Sequence, residues 1–95
     1  VTAVADELAG RDVVLEPGTA LALARAKLDM AALLSMAYAD VLAIPGIGPA
    51  RAAYLRVTLA RAGYDWPVPS LADAGLGERD RRAIARYLRR YGGHA

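Results

Sequence analysis

The chain has no cysteine and one histidine, His94, in its last two residues. Without thiols it can build neither a disulfide framework nor a Cys-ligated zinc module, and a single imidazole cannot make a His-rich metal site. The same scarcity removes the usual acid, base and nucleophile, and no carboxylate cluster has the density a two-metal nuclease needs. An enzyme is therefore not expected, nor a catalytic residue, metal or cofactor. Long apolar stretches are missing as well. The uncharged run between Asp29 and Asp40 is far short of the about 20 residues that cross a membrane. Asp6 and Glu7 stand where a secretory signal would be basic, so a soluble cytoplasmic protein is expected.

Lysine is nearly absent too. Lys27 is the one exception among the 12 basic residues, and alanine fills 22 positions. A GC-rich genome produces both biases, so neither carries function by itself. The distribution of charge is more informative than the net +2. Residues 1–40 set Arg11, Arg25 and Lys27 against Asp6, Glu7, Asp12, Glu16, Asp29 and Asp40, a balance of −3. Residues 41–95 set nine arginines against Asp65, Asp73, Glu78 and Asp80, a balance of +5. At 95 residues this is one domain, read as an acidic helical segment (1–40) packed on a basic hairpin region (41–95).

Taken in order, residues 2–9 read as a short helix capped by Thr2 and stopped by Gly10. Residues 11–16 are β-leaning but have no partner strand, so a packed loop is expected. Pro17, Gly18 and Thr19 start a second helix with Thr19 as its cap and Leu21, Ala24, Leu28 and Ala31 on one face. It runs to Tyr38, whole or broken near Asp29, with Leu33, Leu34 and Met36 in the core. Asp40 is placed as the cap of the next helix, and residues 50–62 form a longer one stopped by Gly63. On it Ala52, Leu55, Leu59 and Ala62 face the core, while Arg51, Tyr54, Thr58 and Arg61 form an outward stripe. Trp66 reads as a lid on the core rather than a base-stacking platform, and Ser70 to Asp73 as a capping-box-like helix start. The fold class is all-α, a small helical domain with two helix-hairpin-helix-like elements.

The first of those elements lies at residues 41–55. Pro45 ends a helix by removing an N–H and pushing Ile44 out of the α region. Gly46 and Gly48 are expected to turn with φ > 0 and to leave their amides uncovered by any Cβ. Ile47 plugs the angle between the helices, and Pro49 suits the first helical position. Bare N–H groups at a helix N-terminus attract anions, and a nucleic-acid phosphate is the anion expected at Gly46, Ile47, Gly48 and Arg51. The plainer reading is a tight connection used for packing, since one Gly-x-Gly alone is weak evidence.

A second copy follows 29 residues later. Gly75, Leu76 and Gly77 repeat Gly46, Ile47 and Gly48, and Ile84 repeats Leu55, each seven positions after its second glycine. The hairpin proline is missing there. The helix that follows buries Ile84, Leu88 and Tyr91 and presents Arg79, Arg82, Arg86, Arg89 and Arg90, answered only by Glu78 and Asp80. Gly75, Gly77, Arg79, Arg82 and Arg86 complete the candidate contacts.

The paired hairpins resemble the tandem helix-hairpin-helix modules of repair nucleases and junction-binding proteins. Residues 27–93 are similar to the small actinobacterial integration host factors, through Leu33 and Leu34, then Pro45, Ile47 and Gly48, then Gly75, Leu76, Gly77 and Arg79. That resemblance implies a helix-two-turn-helix fold and a role in compacting or bending DNA and assisting recombination at the nucleoid. The chain departs from the family in a longer stretch between Leu34 and Pro45, an additional loop from Tyr64 to Pro69, and no lysine-rich N-terminal segment. The leading expectation is a sequence-tolerant binder of double-stranded DNA, gripping phosphates that position rather than specify. The alternatives are an interaction domain docking on a recombinase or repair partner, and RNA or ribosome binding.

Overall fold

A computed structural model describes residues 3–66 and 76–91. Among these residues six helices follow one another: α1 (Val4–Ala9), α2 (Pro17–Arg25), α3 (Met30–Leu34), α4 (Tyr38–Leu42), α5 (Pro49–Arg61) and α6 (Glu78–Arg90). The described residues contain no strand, so the class is all-α. No helix among them is long and apolar enough to cross a membrane. Thr2, the segment from Ser70 to Asp73 and Gly75 lie outside the described residues.

The molecule is built around α5. Ala52, Ala53, Tyr54, Leu55, Thr58 and Leu59 are all buried, which covers the helix on nearly every side, as in a core element. α4 and α6 pack directly on it, and α1 packs on α2. One apolar cluster runs from Val4 and Leu8 through Leu23, Leu33, Val41 and Ile47 to Leu55, Trp66, Leu76 and Ile84, so the acidic and basic halves share a core. Each fully buried leucine in it contributes on the order of 2 kcal/mol by removal from water.

The central position of α5 overturns the expected outward stripe. Tyr54 and Thr58 are fully buried, and Arg51 turns inward to pair with Glu16. Alanine on the other side of the wheel made the two faces look distinguishable when both are covered. The face predicted for the second helix holds only at Leu28, which packs against the core. Thr19, Ala22 and Leu23 are buried, whereas Leu21 is 52% exposed and Ala24 and Ala31 face solvent.

Two caps also differ. α2 begins at Pro17 and its N-cap is Glu16, whose carboxylate accepts from the Gly18 and Thr19 amides. Thr19 lies inside the helix and donates its hydroxyl to that same carboxylate at 2.8 Å. α4 begins at Tyr38 with Ala37 as N-cap, so Asp40 sits within the first turn, where a negative charge complements the helix dipole. The break near Asp29 is present, and Asp29 caps α3 by accepting from the Ala32 amide at 2.8 Å. Leu33 is fully buried, with Leu34 and Met36 packed against the core.

Three helices end the same way. In α1, α2 and α5 a residue with positive φ (Asp12 at 62°, Lys27 at 57°, Gly63 at 95°) donates to the carbonyl three back. The residue after it donates five back, Val13 to Leu8, Leu28 to Leu23 and Tyr64 to Leu59. This is the Schellman arrangement, with an apolar pair across each end. Gly10, the expected stop of α1, has φ −64°, and Asp12 makes the reversal instead. A further tie closes the C-terminal end of α5. Arg11 Nη1 donates to the Ala62 carbonyl at 2.8 Å, its guanidinium lies 4.3 Å from the centre of the Tyr64 ring, and Tyr64 donates to Glu7 at 2.8 Å.

Candidate nucleic-acid interface

The turn between α4 and α5 is made by residues 43–48. The Ile47 amide donates to the Ile44 carbonyl at 3.0 Å, and the Ile47 side chain, 4% exposed, fills the angle between the helices. Gly46 has φ 92°, and a Cβ there would stand 3.2 Å from that of Ala22, so this position needs glycine for conformation and for space. Gly48 does not have the positive φ expected of it. It is the extended N-cap of α5, at φ −102° and ψ −175°. What its missing side chain does is leave the helix start uncovered: α5 has no side-chain cap, and a Cβ at Gly48 would meet nothing within 4 Å.

Gly77 repeats this arrangement. It is the extended N-cap of α6, at φ −77° and ψ 173°, again without a side-chain cap and with open space where a Cβ would be. Both helices are 13 residues long and begin and end at the same offset of 29. Ile47 and Leu76 are buried alike, as are Leu55 and Ile84. From Leu76 onward the sequence repeat is matched by a like helix start and helix, and what precedes Leu76 in the second copy lies outside the described residues.

The two N-termini are not neighbours. Tyr54 and Tyr87 meet edge to face with ring centres 5.4 Å apart, and the Arg51 guanidinium lies 6.0 Å from the centre of the Tyr87 ring. The first half of α5 therefore meets the second half of α6. Tyr87 lies about 15 Å along the helix axis from Gly77 at 1.5 Å per residue.

Arg51 is tied into the fold by two hydrogen bonds. Its Nε donates to Glu16 at 3.1 Å and its Nη1 to the Gly46 carbonyl at 3.0 Å. Burial pushes the Glu16 carboxyl up, but the Thr19 hydroxyl, the Gly18 and Thr19 amides and Arg51 all donate to it, and the balance holds it below the usual carboxylate value. The charge of Arg51 is answered within the fold.

The charge of α6 is not. Arg79, Arg82, Arg86, Arg89 and Arg90 are exposed as expected, and so is Arg81, which reading by stripes missed because it lies off the 79, 82, 86 line. Its signal was the excess of arginine over the whole helix, six against Glu78 and Asp80. Arg82 pairs with Glu78 at 2.8 Å, with both side chains more than three-quarters exposed. Arg79, Arg81, Arg89 and Arg90 make no ion pair among the described residues. Arg79, Arg82 and Arg86 line a surface recess of about 500 Å³ with Glu78 and Ala83. The inner side of the helix is Ile84, buried, with Tyr87, Leu88 and Tyr91 half-buried.

Trp66 is 3% exposed and belongs to the core. Among the described residues no three His, Cys, Asp or Glu side chains group as metal ligands. Comparison with protein-family models, curated proteins and solved structures finds no match for the chain.

Proposed function

We propose that this chain is a sequence-tolerant double-stranded DNA-binding protein, of the kind the integration host factors represent, in which two hairpin-like turns and one arginine-rich helix grip phosphates. The observation that carries the reading is α6. Six exposed arginines on one 13-residue helix face only Glu78 and Asp80, both at its start. A helix solvated for its own sake mixes signs along its exposed faces, and a helix this strongly cationic past its first turn is the electrostatic footprint of a polyanion partner. The uncapped starts at Gly48 and Gly77 add backbone donors to that footprint. Arg51 drops out of the direct contacts, and Arg81 joins them.

Binding of this type is read from its salt dependence. With two or three phosphates neutralised by each hairpin and its helix, log K against log[salt] falls with a slope of roughly −4 to −5 on duplex DNA. A mobility-shift titration with duplex DNA, single strands and duplex RNA tests the class of partner. A slope near zero, or preference for RNA, overturns the reading. Docking on a recombinase or repair protein is the second reading, favoured by the exposed Val14 (61%) and Leu21 (52%). It predicts no shift with any nucleic acid.

A further inference from the structure

We infer that Glu16 is a positioning residue for the turn at residues 46–48: its carboxylate holds Arg51, and Arg51 holds the peptide that sets the direction of the Gly48 amide. The functional half of this inference rests on the phosphate reading of that turn, and its structural half rests on hydrogen bonds alone.

Glu16 is 8% exposed and both its oxygens are occupied. Oε2 accepts from the Gly18 amide at 2.7 Å. Oε1 accepts from the Thr19 amide at 3.1 Å, the Thr19 hydroxyl at 2.8 Å and Arg51 Nε at 3.1 Å. A carboxylate tethered by the three donors of Gly18 and Thr19 has one orientation, so the guanidinium it pairs with has one place to lie. From that place Arg51 Nη1 reaches the Gly46 carbonyl at 3.0 Å. This carbonyl belongs to the peptide between Gly46 and Ile47, whose N–H donates to Ile44 at 3.0 Å. A planar peptide held at both its oxygen and its hydrogen cannot rotate. The next peptide, which carries the Gly48 N–H, therefore leaves the turn in a set direction.

Two further contacts make the brace specific. The Glu16 amide donates to the Tyr54 hydroxyl at 2.8 Å, so the loop before α2 is tied to α5 at two points. A Cβ at Gly18 would stand 2.9 Å from Arg51 Cζ and 2.9 Å from Glu16 Oε2, so glycine there lets the guanidinium lie across the start of α2. Because Glu16 already answers the Arg51 charge, Arg51 releases no counterion when a phosphate binds nearby. It sets the strength of binding without entering its salt dependence.

Arg51→Met removes the brace, and Gly18→Ala displaces the guanidinium while keeping every charge. In the DNA-free protein, both variants speed amide exchange at Ile47 by roughly tenfold, the equivalent of one hydrogen bond, while Leu59 in the middle of α5 keeps its wild-type rate. On duplex DNA, affinity falls about threefold to tenfold for the same reason, with the salt slope unchanged. Wild-type protection at Ile47, or equal acceleration at Leu59, overturns the brace. A slope flattened by about one unit in Arg51→Met makes Arg51 a direct phosphate contact and overturns the positioning role. If the wild-type protein binds no nucleic acid, the DNA reading falls, and the Ile47 measurement still decides the brace.

Discussion

Replacing Arg79, Arg82 and Arg86 together by glutamine takes three positive charges off α6. The helix holds six arginines against Glu78 and Asp80, so its net charge falls from +4 to +1. Each phosphate contact on B-DNA adds about 0.9 to the salt slope, so three lost contacts flatten it by about 2.7, from roughly −4 or −5 to about −1 or −2. The same relation makes the loss about 2.7 log units at 0.1 M salt relative to 1 M, or roughly 500-fold in affinity. Little of this should reach the fold. Among the described residues the only ion pair lost is Arg82 with Glu78, exposed on both sides, and such pairs contribute little. Glutamine is nearly as good a helix former as arginine, and cations in the first turn oppose the helix dipole, so removing Arg79 is mildly favourable there. The melting temperature should move by less than about 4 °C, since 1 kcal/mol corresponds to about 4–8 °C in a domain of this size. Fluorescence polarisation on two unrelated duplexes at several salt concentrations, with a thermal melt of each protein, measures all of this. Parental affinity in the folded triple variant, or a loss confined to one duplex, would refute the phosphate assignment.

The glycines of the two turns separate by role. Gly48→Val and Gly77→Val keep the fold, because both backbones are extended and a Cβ meets nothing, but they cover the helix starts and weaken DNA binding. Gly46→Ala instead costs about 1–3 kcal/mol of stability from its positive φ alone, measured by urea denaturation. Tyr54→Phe leaves the buried Glu16 N–H without its acceptor, for about 2 kcal/mol and a melting temperature roughly 8–16 °C lower; an unchanged melt would mean that the amide finds another partner. The Glu16 carboxyl is held below its ordinary value of 4.5, so folding favours its charged form. The stability this adds is complete above that value and lost as pH falls through the lower folded-state value. Urea midpoints against pH should drop more steeply below about pH 4.5 for the wild type than for Glu16→Gln, and parallel acid limbs would contradict the assignment.

Punctuation residues were legible in the sequence wherever one residue type decides the backbone locally. Pro45 with Gly46, Gly63 and Asp29 mark real boundaries, and the 29-residue offset aligns two helices of equal length. Faces and caps were less legible, because distant parts of the chain decide them. Tyr54 and Arg51 turn inward to meet Glu16, 38 and 35 residues away, and no periodicity within α5 reveals that. Glu16 becomes a cap because Pro17 starts the helix one residue later and Arg51 supplies the counter-charge. Asp12 and Lys27 take positive φ, where sequence favours glycine. Their signal was the apolar pair five apart, Leu8 with Val13 and Leu23 with Leu28, which Leu59 and Tyr64 share.

The burial of Trp66, the chain's sole tryptophan, gives the protein an optical reporter of its own. An indole shielded from water emits at shorter wavelength than one in solvent, so unfolding should shift the emission to the red. Duplex gripped at the starts of α5 and α6 and along the arginines of α6 leaves the indole packed in the core, and its spectrum in place. A base stacked on the ring would quench it. Emission followed through a DNA titration therefore distinguishes a nucleic acid held by phosphate alone from one that reads its way into the interior.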